Sequence, residues 1–185
     1  MMKRILLIVF ISISVTHLFA QDKFYTKSGK IDFYSKAALE DIEAKNKTAS
    51  ALLDPKTGSL QFSVLMKSFD FEKALMQEHF NSDYVESDKY PKSEFKGSIT
   101  NNSEVNYSKA GTYNVKVKGE LTLHGVTRNV ETNGTIKVES DHLEATSSFD
   151  ILLSDYNIKL QSVVKNRISK TIKINVDCKL EPLKM

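Results

Sequence analysis

The sequence predicts an all-β fold, a single antiparallel β-barrel of about eight strands with one short helix. Apolar and polar residues alternate with a period of two along most of the chain, and short turn signals separate the alternating segments. One further segment, at about residues 70–81, repeats its apolar residues at helical spacing. Strands that each carry one apolar face bury it by closing on themselves or by stacking as two layers.

The clearest strand pattern lies at residues 113–123, where every odd position is apolar or glycine and every even position is polar. Such alternation places successive side chains on opposite faces of a strand. Similar patterns predict strands at residues 60–66, 95–99, 130–138, 143–153 and 172–180. Weaker patterns predict strands at residues 24–28, 31–37 and 48–53.

Short turns connect these strands. Residues 54–58 read Asp-Pro-Lys-Thr-Gly, a composition typical of a hairpin loop. His124-Gly125 and Ser140-Asp141 also separate neighbouring strand patterns. Connections this short favour antiparallel neighbours in one sheet.

In the helical segment, Asp70 is placed to cap the N-terminus. The stripe that follows, with Phe71, Leu75 and Phe80 among its members, is expected to lie over an open edge or end of the barrel. A shorter helical turn is predicted at residues 38–43.

The N-terminal residues have the order of a secretory signal peptide. Lys3 and Arg4 precede a short apolar run, and Ala20 offers a cleavage point before Gln21. The run is too short to cross a bilayer, which takes about 20 apolar residues. We therefore expect a signal peptide at residues 1–20, a mature domain at residues 21–185 in the periplasm or outside the cell, and no membrane span after cleavage.

Charge and cysteine content exclude several classes of partner. The leader carries two of the charges behind the formal net charge of +3, and the remaining lysines are interspersed with acidic residues. Without a basic block to follow phosphates, nucleic-acid binding is not expected. Cys178 is the sole cysteine, so it forms no internal disulfide and no cysteine-based zinc site. We predict no metal site and no cofactor.

Two stretches of the sequence resemble the YceI-like family. Residues 118–130 read Lys-Gly-Glu-Leu-Thr-Leu-His-Gly-Val-Thr-Arg-Asn-Val, which resembles that family's strand-turn-strand signature. Upstream, residues 76–80 followed by Tyr90-Pro91 and Phe95 resemble its helix, its Tyr-Pro turn and the next strand. With the strand at residues 149–151, the likeness covers nearly all of the mature chain.

The resemblance implies an exported, lipocalin-like barrel that holds a long apolar chain, such as a polyprenyl or isoprenoid-quinone tail. It implies no cofactor and no established catalytic residues. The chain departs from the family pattern at residues 152–157 and 166–170, where the barrel mouth is expected. These departures leave the head group of the lipid open.

The inward positions are independently consistent with a hollow barrel. The expected inner faces include seven small residues, and the chain has no Trp: the small residues are Ala49, Ala51, Gly97, Gly119, Gly134, Ala145 and Ser147. A small barrel is either filled by its own side chains or holds one ligand. The predicted apolar lining is Phe62, Val64, Met66, Phe95, Val115, Val117, Leu121, Leu123, Phe149, Ile151 and Leu153. The predicted polar mouth is Tyr90, His124, Tyr156 and Asn157.

Two other functions are compatible with the sequence. A hydrolase would use His124 with Asp155 or Glu120, but the chain has no Gly-x-Ser-x-Gly turn and no His-Glu-x-x-His pair. A ligand-free structural or adhesion module of the cell envelope would need a solidly packed barrel and an exposed apolar patch. We expect a binding protein for an apolar lipid of isoprenoid type rather than an enzyme. The sequence leaves the oligomeric state open.

Overall fold

The structure is a computed structural model that describes residues 23–36, 41–160 and 169–183. The expected leader at residues 1–20 lies outside the described residues. So do residues 37–40, which include part of the predicted turn at 38–43, and residues 166–168 of the second departure from the family pattern. Within the described ranges, no helix is both long enough and apolar enough to span a bilayer.

Antiparallel strands make up most of the described chain. They are β1 (Phe24–Ser35), β2 (Ile42–Leu53), β3 (Ser59–Leu65), β4 (Asp70–Phe71), β5 (Lys92–Ile99), β6 (Gly111–Leu123), β7 (Val126–Val138), β8 (Leu143–Leu152) and β9 (Thr171–Pro182). The order in the sheet is β1-β9-β8-β7-β6-β5-β3-β2-β4, and β1 also pairs with β2. This second pairing closes eight of the strands into a barrel, which confirms the predicted fold class.

The remaining strand, β4, pairs with the same strand as β3, namely β2, but at a different position along it. After β3, a single 3-10 turn at Met66–Ser68 redirects the chain, and β4 then pairs with β2 at Ala44 and Lys45. The pairing of β3 with β2 occupies the opposite half of β2, from Ser50 to Leu53. Together, β3 and β4 therefore cover one edge of β2 in two pieces.

The two weak strands predicted at residues 24–28 and 31–37 are one continuous strand. The register of β1 against β2 shifts on both sides of Gly29, which marks a bulge. A side chain at Gly29 would place its Cβ 2.6 Å from Cys178 Sγ, so only glycine fits this close approach. The bulge interrupts the alternation in the sequence without interrupting the strand.

The helix is shorter than predicted and starts later. Asp70 belongs to β4 instead of capping the helix, because Phe71 pairs with Ala44 of β2. Helix α1 spans Ala74–His79 and continues as a π-helical turn at Phe80–Tyr84. The predicted helical turn at residues 38–43 is also wrong over its described part, since β2 begins at Ile42.

The two ends of the barrel differ in packing. At the end that carries the connections 54–58, 100–110 and 139–142, the interior is filled by side chains with at most 1% exposure: Leu53, Leu143, Cys178 and Leu180. Val105 and Tyr107 from the 100–110 connection pack against this cluster. We call this the closed end. The opposite end carries α1 and the π-helical turn, which together, as residues 74–84, are called the lid.

Two glycines of the predicted inner faces are needed for close packing of the wall. Gly97 and Gly119 lie opposite each other in β5 and β6. A Cβ on Gly119 would lie 2.5 Å from Gly97 Cα and 2.7 Å from the Phe95 ring. The Phe95 ring therefore covers the space that the two missing side chains leave.

We predict that Gly119→Ala lowers the free energy of unfolding by about 1–3 kcal/mol, because the added methyl group overlaps backbone and ring atoms. Urea denaturation followed by circular dichroism measures the change. Gly111→Ala is the matched control on the same strand, since its added Cβ meets nothing closer than 3.6 Å. Equal stability of the two variants would contradict this account of the glycine pair.

Cys178 lies in the closed end with no exposed surface. Burial raises the pKa of its thiol to about 12, so the reactive thiolate is scarce at neutral pH. We predict that a thiol reagent modifies native Cys178 only as fast as the barrel opens, and reacts at once in denaturant. Rapid modification of the native protein would show that the closed end opens independently of global unfolding.

Candidate ligand-binding cavity

A cavity of about 420 Å³ occupies the barrel interior between the closed end and the lid. Ile99, Val115 and Ile136 form its floor and belong to the packed cluster of the closed end. Met76 and Phe80 border it from the lid. The volume falls within the roughly 300–1,000 Å³ that small-molecule sites commonly have.

The eleven apolar side chains predicted from the alternation all border this cavity: Phe62, Val64, Met66, Phe95, Val115, Val117, Leu121, Leu123, Phe149, Ile151 and Leu153. The period of two explains the direction of the nine that lie in strands, whereas Met66 and Leu153 begin the 3-10 turns that follow β3 and β8. Val115 and Val117 are buried, whereas Lys116 and Lys118, which flank Val117, are exposed. The contact of these eleven residues with a ligand stays a prediction.

Sequence reasoning missed the part of the wall that β1, β9 and the lid provide. The missed residues include Ile31, Phe33, Ser35, Met76, His79, Phe80, Tyr84, Ile172, Ile174 and Val176. The alternation at residues 172–180 was visible in the sequence, so β9 could have been included. The bulge in β1 hid its alternation, and the contribution of the lid depends on tertiary packing.

Seven small residues on the expected inner faces suggested a hollow barrel, but only some of them border the cavity. Gly134, Ala145 and Ser147 border it, but the Phe95 ring covers Gly97 and Gly119. Ala49 and Ala51 are buried in the packed clusters and are not among the residues that border it. Medium-sized side chains such as Val64 and Val117 border the cavity in their place.

A cluster of four phenylalanines attaches the lid to the barrel. The Phe80 ring stacks on Phe33 of β1 with centroids 5.4 Å apart. It also packs against Phe69, at 5.7 Å, and against Phe71 of β4, at 5.0 Å. Aromatic pairs at these separations contribute about 0.5–1.5 kcal/mol each beyond the area that they bury. Helix α1 is less firmly held, since it has no buried residue.

The cavity surface is almost entirely apolar. Among the residues that the structure describes, no Lys, Arg, Asp or Glu borders it. His79 borders it from the lid, with Nδ1 2.8 Å from Asp83 Oδ2. Burial raises the pKa of the nearby Tyr84 hydroxyl, with a smaller contribution from Asp83, so this phenol stays neutral.

Hydroxyl groups line the cavity where β7 and β8 meet. These strands pair from Gly134 and Ser147 only as far as Val138 and Leu143. At the edge of this pairing, the Thr132 and Ser147 hydroxyls lie 3.1 Å apart, and Ser147 Oγ donates to the Asn133 carbonyl at 2.8 Å. The hydroxyls therefore join the two strands at the point where their backbone pairing stops.

The four predicted mouth residues are not among those that border the cavity. Tyr156 is 2% exposed and packs in the core, and Asn157 is exposed at the end of a 3-10 turn. His124 and Gly125 form the two-residue turn between β6 and β7, with positive φ at both. The Tyr90 ring packs on His124 at 4.7 Å and covers Gly125. These residues fix loops at the lid end instead of facing the cavity.

His124 connects three separate loops. Its Nδ1 lies 3.0 Å from the Tyr156 carbonyl oxygen, and its Nε2 lies 2.9 Å from Glu86 Oε2. Among the described residues, the non-glycine positions with positive φ are Glu86, His124 and Asn157. Glu86 and His124 are in direct contact, and Asn157 follows Tyr156, whose carbonyl bonds to the His124 ring, so strained backbone is concentrated where the loops are joined.

The arrangement does not support the hydrolase alternative in the form predicted. The carboxylate that reaches the His124 ring is Glu86, and both ring nitrogens are engaged in structural contacts. Neither Asp155 nor Glu120 bonds to the ring. Within the described ranges, no group of three or more His, Cys, Asp or Glu side chains is placed to hold a metal ion.

We predict that His124→Ala lowers the free energy of unfolding by about 1–3 kcal/mol, because it leaves the buried Tyr156 carbonyl without its partner. Urea denaturation measures the change. The control is His79→Ala, whose ring is half exposed and whose loss should alter stability by less than about 0.5 kcal/mol. An unchanged stability of His124→Ala would show that the loops are held by other contacts.

Solved structures of low sequence identity share this fold. A polyisoprenoid binding domain from Saccharophagus degradans, described as implicated in plant cell wall breakdown, is 14% identical with a TM-score of 0.77, over 88% of this chain and 99% of that one. Burkholderia cenocepacia BcnA is 20% identical with a TM-score of 0.68, over 82% and 95%. A Campylobacter jejuni YCEI protein is 18% identical with a TM-score of 0.62, over 79% and 88%.

No curated protein matches the sequence. The family model for the YceI-like domain, in contrast, matches residues 10–180, which is most of the chain. This match confirms the resemblance first seen in residues 118–130, whose His-Gly turn joins the loops at the lid end. By its sequence and its closed eight-stranded barrel, the chain belongs to the YceI-like family.

Proposed function

We propose that the protein is an exported, non-enzymatic carrier that holds the isoprenoid-type tail of an apolar lipid inside its barrel, for transport or storage. The observation that carries this proposal is the cavity of about 420 Å³, lined almost entirely by apolar side chains. The description of the Saccharophagus degradans structure as polyisoprenoid-binding supports the same class of ligand.

The energetics favour a tail over a compact polar ligand. Burying an apolar chain gains about 0.8 kcal/mol per methylene group, so roughly ten buried carbons gain about 8 kcal/mol before the entropy of association is subtracted. A polar ligand would instead lose its hydration against a wall with few hydrogen-bonding groups. The apolar wall is therefore suited to a hydrocarbon chain.

Export rests on the order of charge, apolar run and small residue in the first twenty positions. We infer that the protein is not an enzyme from the contacts of His124, which was the best catalytic candidate. His124 uses both ring nitrogens to join loops and lies away from the cavity. The hollow interior also weighs against a solidly packed structural module.

The direct test is to purify the exported protein from its native host, extract it with organic solvent and identify the released molecules by mass spectrometry. We predict a lipid with an isoprenoid tail in near-stoichiometric amount. The intact mass should match a chain that starts at or near Gln21. Wild-type protein that releases no lipid and binds none added would contradict the proposal.

A cavity-filling variant shows where the lipid lies. We predict that Val117→Trp loses at least about nine-tenths of the bound lipid, because its indole takes the space of the tail. Lys116→Trp, the neighbouring outward position, should retain it. Circular dichroism confirms that both variants fold. Equal lipid content in the two variants would place the lipid outside the barrel.

A further inference from the structure

Among the serine and threonine hydroxyls of the described cavity lining, one differs from the others. Ser93 Oγ donates to the Thr122 carbonyl at 2.9 Å. The Thr132 and Ser147 hydroxyls bond to each other, and those of Thr135 and Thr146 form a second pair at 2.7 Å. Ser35 Oγ, in contrast, has no hydrogen-bond partner in the described part of the chain.

Ser35 is 1% exposed, so solvent at the protein surface does not satisfy its hydroxyl. A buried hydroxyl without a partner destabilises the folded state, and natural proteins rarely retain one without a reason. Ser35 borders the cavity, so a ligand there can supply the partner that the described residues do not. The unpaired group therefore indicates a polar atom in the ligand.

The position of Ser35 locates that atom at the lid end. Ser35 is the last residue of β1 and lies two residues beyond Phe33, on the same face of the strand. Phe33 stacks on Phe80 of the lid. A tail that extends from Ser35 toward the floor at Ile136 would run from the lid end to the closed end of the barrel.

The lining also restricts the charge of that polar end. As noted, the described lining contains no Lys or Arg, and the His79 ring is engaged with Asp83 through Nδ1. A phosphate or carboxylate buried among the described lining residues would lose its hydration, with no cation among them to replace it. An uncharged oxygen group needs only one hydrogen bond, which a serine hydroxyl can supply.

We propose that Ser35 binds the polar end of the lipid at the lid end of the cavity, and that this end is an uncharged alcohol or carbonyl oxygen. This inference rests on the proposed function and adds the head-group class and the residue that recognises it. The hydroxyl of Ser35 donates to a carbonyl oxygen, or forms one hydrogen bond with an alcohol as either donor or acceptor.

The test compares three ligands that share a tail: farnesol, farnesyl phosphate and farnesane, which has no head group. Each is titrated against a fluorescent apolar dye bound to the delipidated full-length mature protein. We predict that wild type binds farnesol at least about tenfold more tightly than farnesyl phosphate. Ser35→Ala should weaken farnesol about three- to tenfold, the worth of one hydrogen bond, and leave farnesane unchanged.

Ser50→Ala, an exposed position on β2, is the control and should leave all three affinities unchanged. The stability of the ligand-free protein provides a second readout. Because Ser35→Ala removes an unpaired buried hydroxyl, it should leave the urea midpoint unchanged or raise it. A serine needed only for folding would lower the midpoint and would affect farnesol and farnesane alike.

The outcomes of this test distinguish a failure of the Ser35 assignment from a failure of the proposed lipid-binding function. If none of the three ligands displaces the dye, the proposed lipid-binding function fails, and the inference fails with it. If the ligands bind but Ser35→Ala leaves farnesol unchanged, the role of Ser35 is wrong while lipid binding stands. Farnesyl phosphate that binds as tightly as farnesol would overturn the assignment of an uncharged head group.

Discussion

The pairing of β1 with both β2 and β9 is the constraint on which the other features depend. It removes the free edges of the sheet and directs one side chain of every two toward a shared interior. At the closed end, Leu53 and Leu180 belong to the packed cluster that fills that interior. Between this cluster and the lid, the side chains that point inward border open space. The cavity is thus a consequence of closure, with packing complete at one end only.

Much of the fold could be predicted because alternation is a local signal. For β6 and β9, the alternation predicts the direction of each residue, because their inward and outward positions differ sharply in polarity. β1 was misread because the bulge at Gly29 shifts the alternation midway. The start of the helix was misplaced for a different reason: Phe71 is recruited to β2 by a strand pairing that is distant in sequence. The local sequence pattern cannot show whether a residue joins a helix or a strand pairing with a distant segment.

The candidate site was predictable to a similar extent. The eleven lining residues followed from the period of two, and all of them reach the cavity. The polar residues were harder, because turn residues such as His124 carry no directional signal and their partners come from other loops. Sequence evidence for Ser35 was weak: it is a polar residue on the same face of β1 as Ile31 and Phe33. That signal became informative only when the structure showed the hydroxyl to be unpaired.

Few buried contacts hold helix α1 to the barrel, and this affects how fast a ligand could enter and leave. Helix α1 has six residues, none of them buried, and Leu75 is 62% exposed. A helix so short is marginal by itself and depends on the phenylalanine cluster around Phe80. Its detachment is a local event with a much smaller free energy than rupture of the strand ladder. We therefore expect exchange of the proposed ligand to be decoupled from global unfolding, so that release does not require the strands to separate.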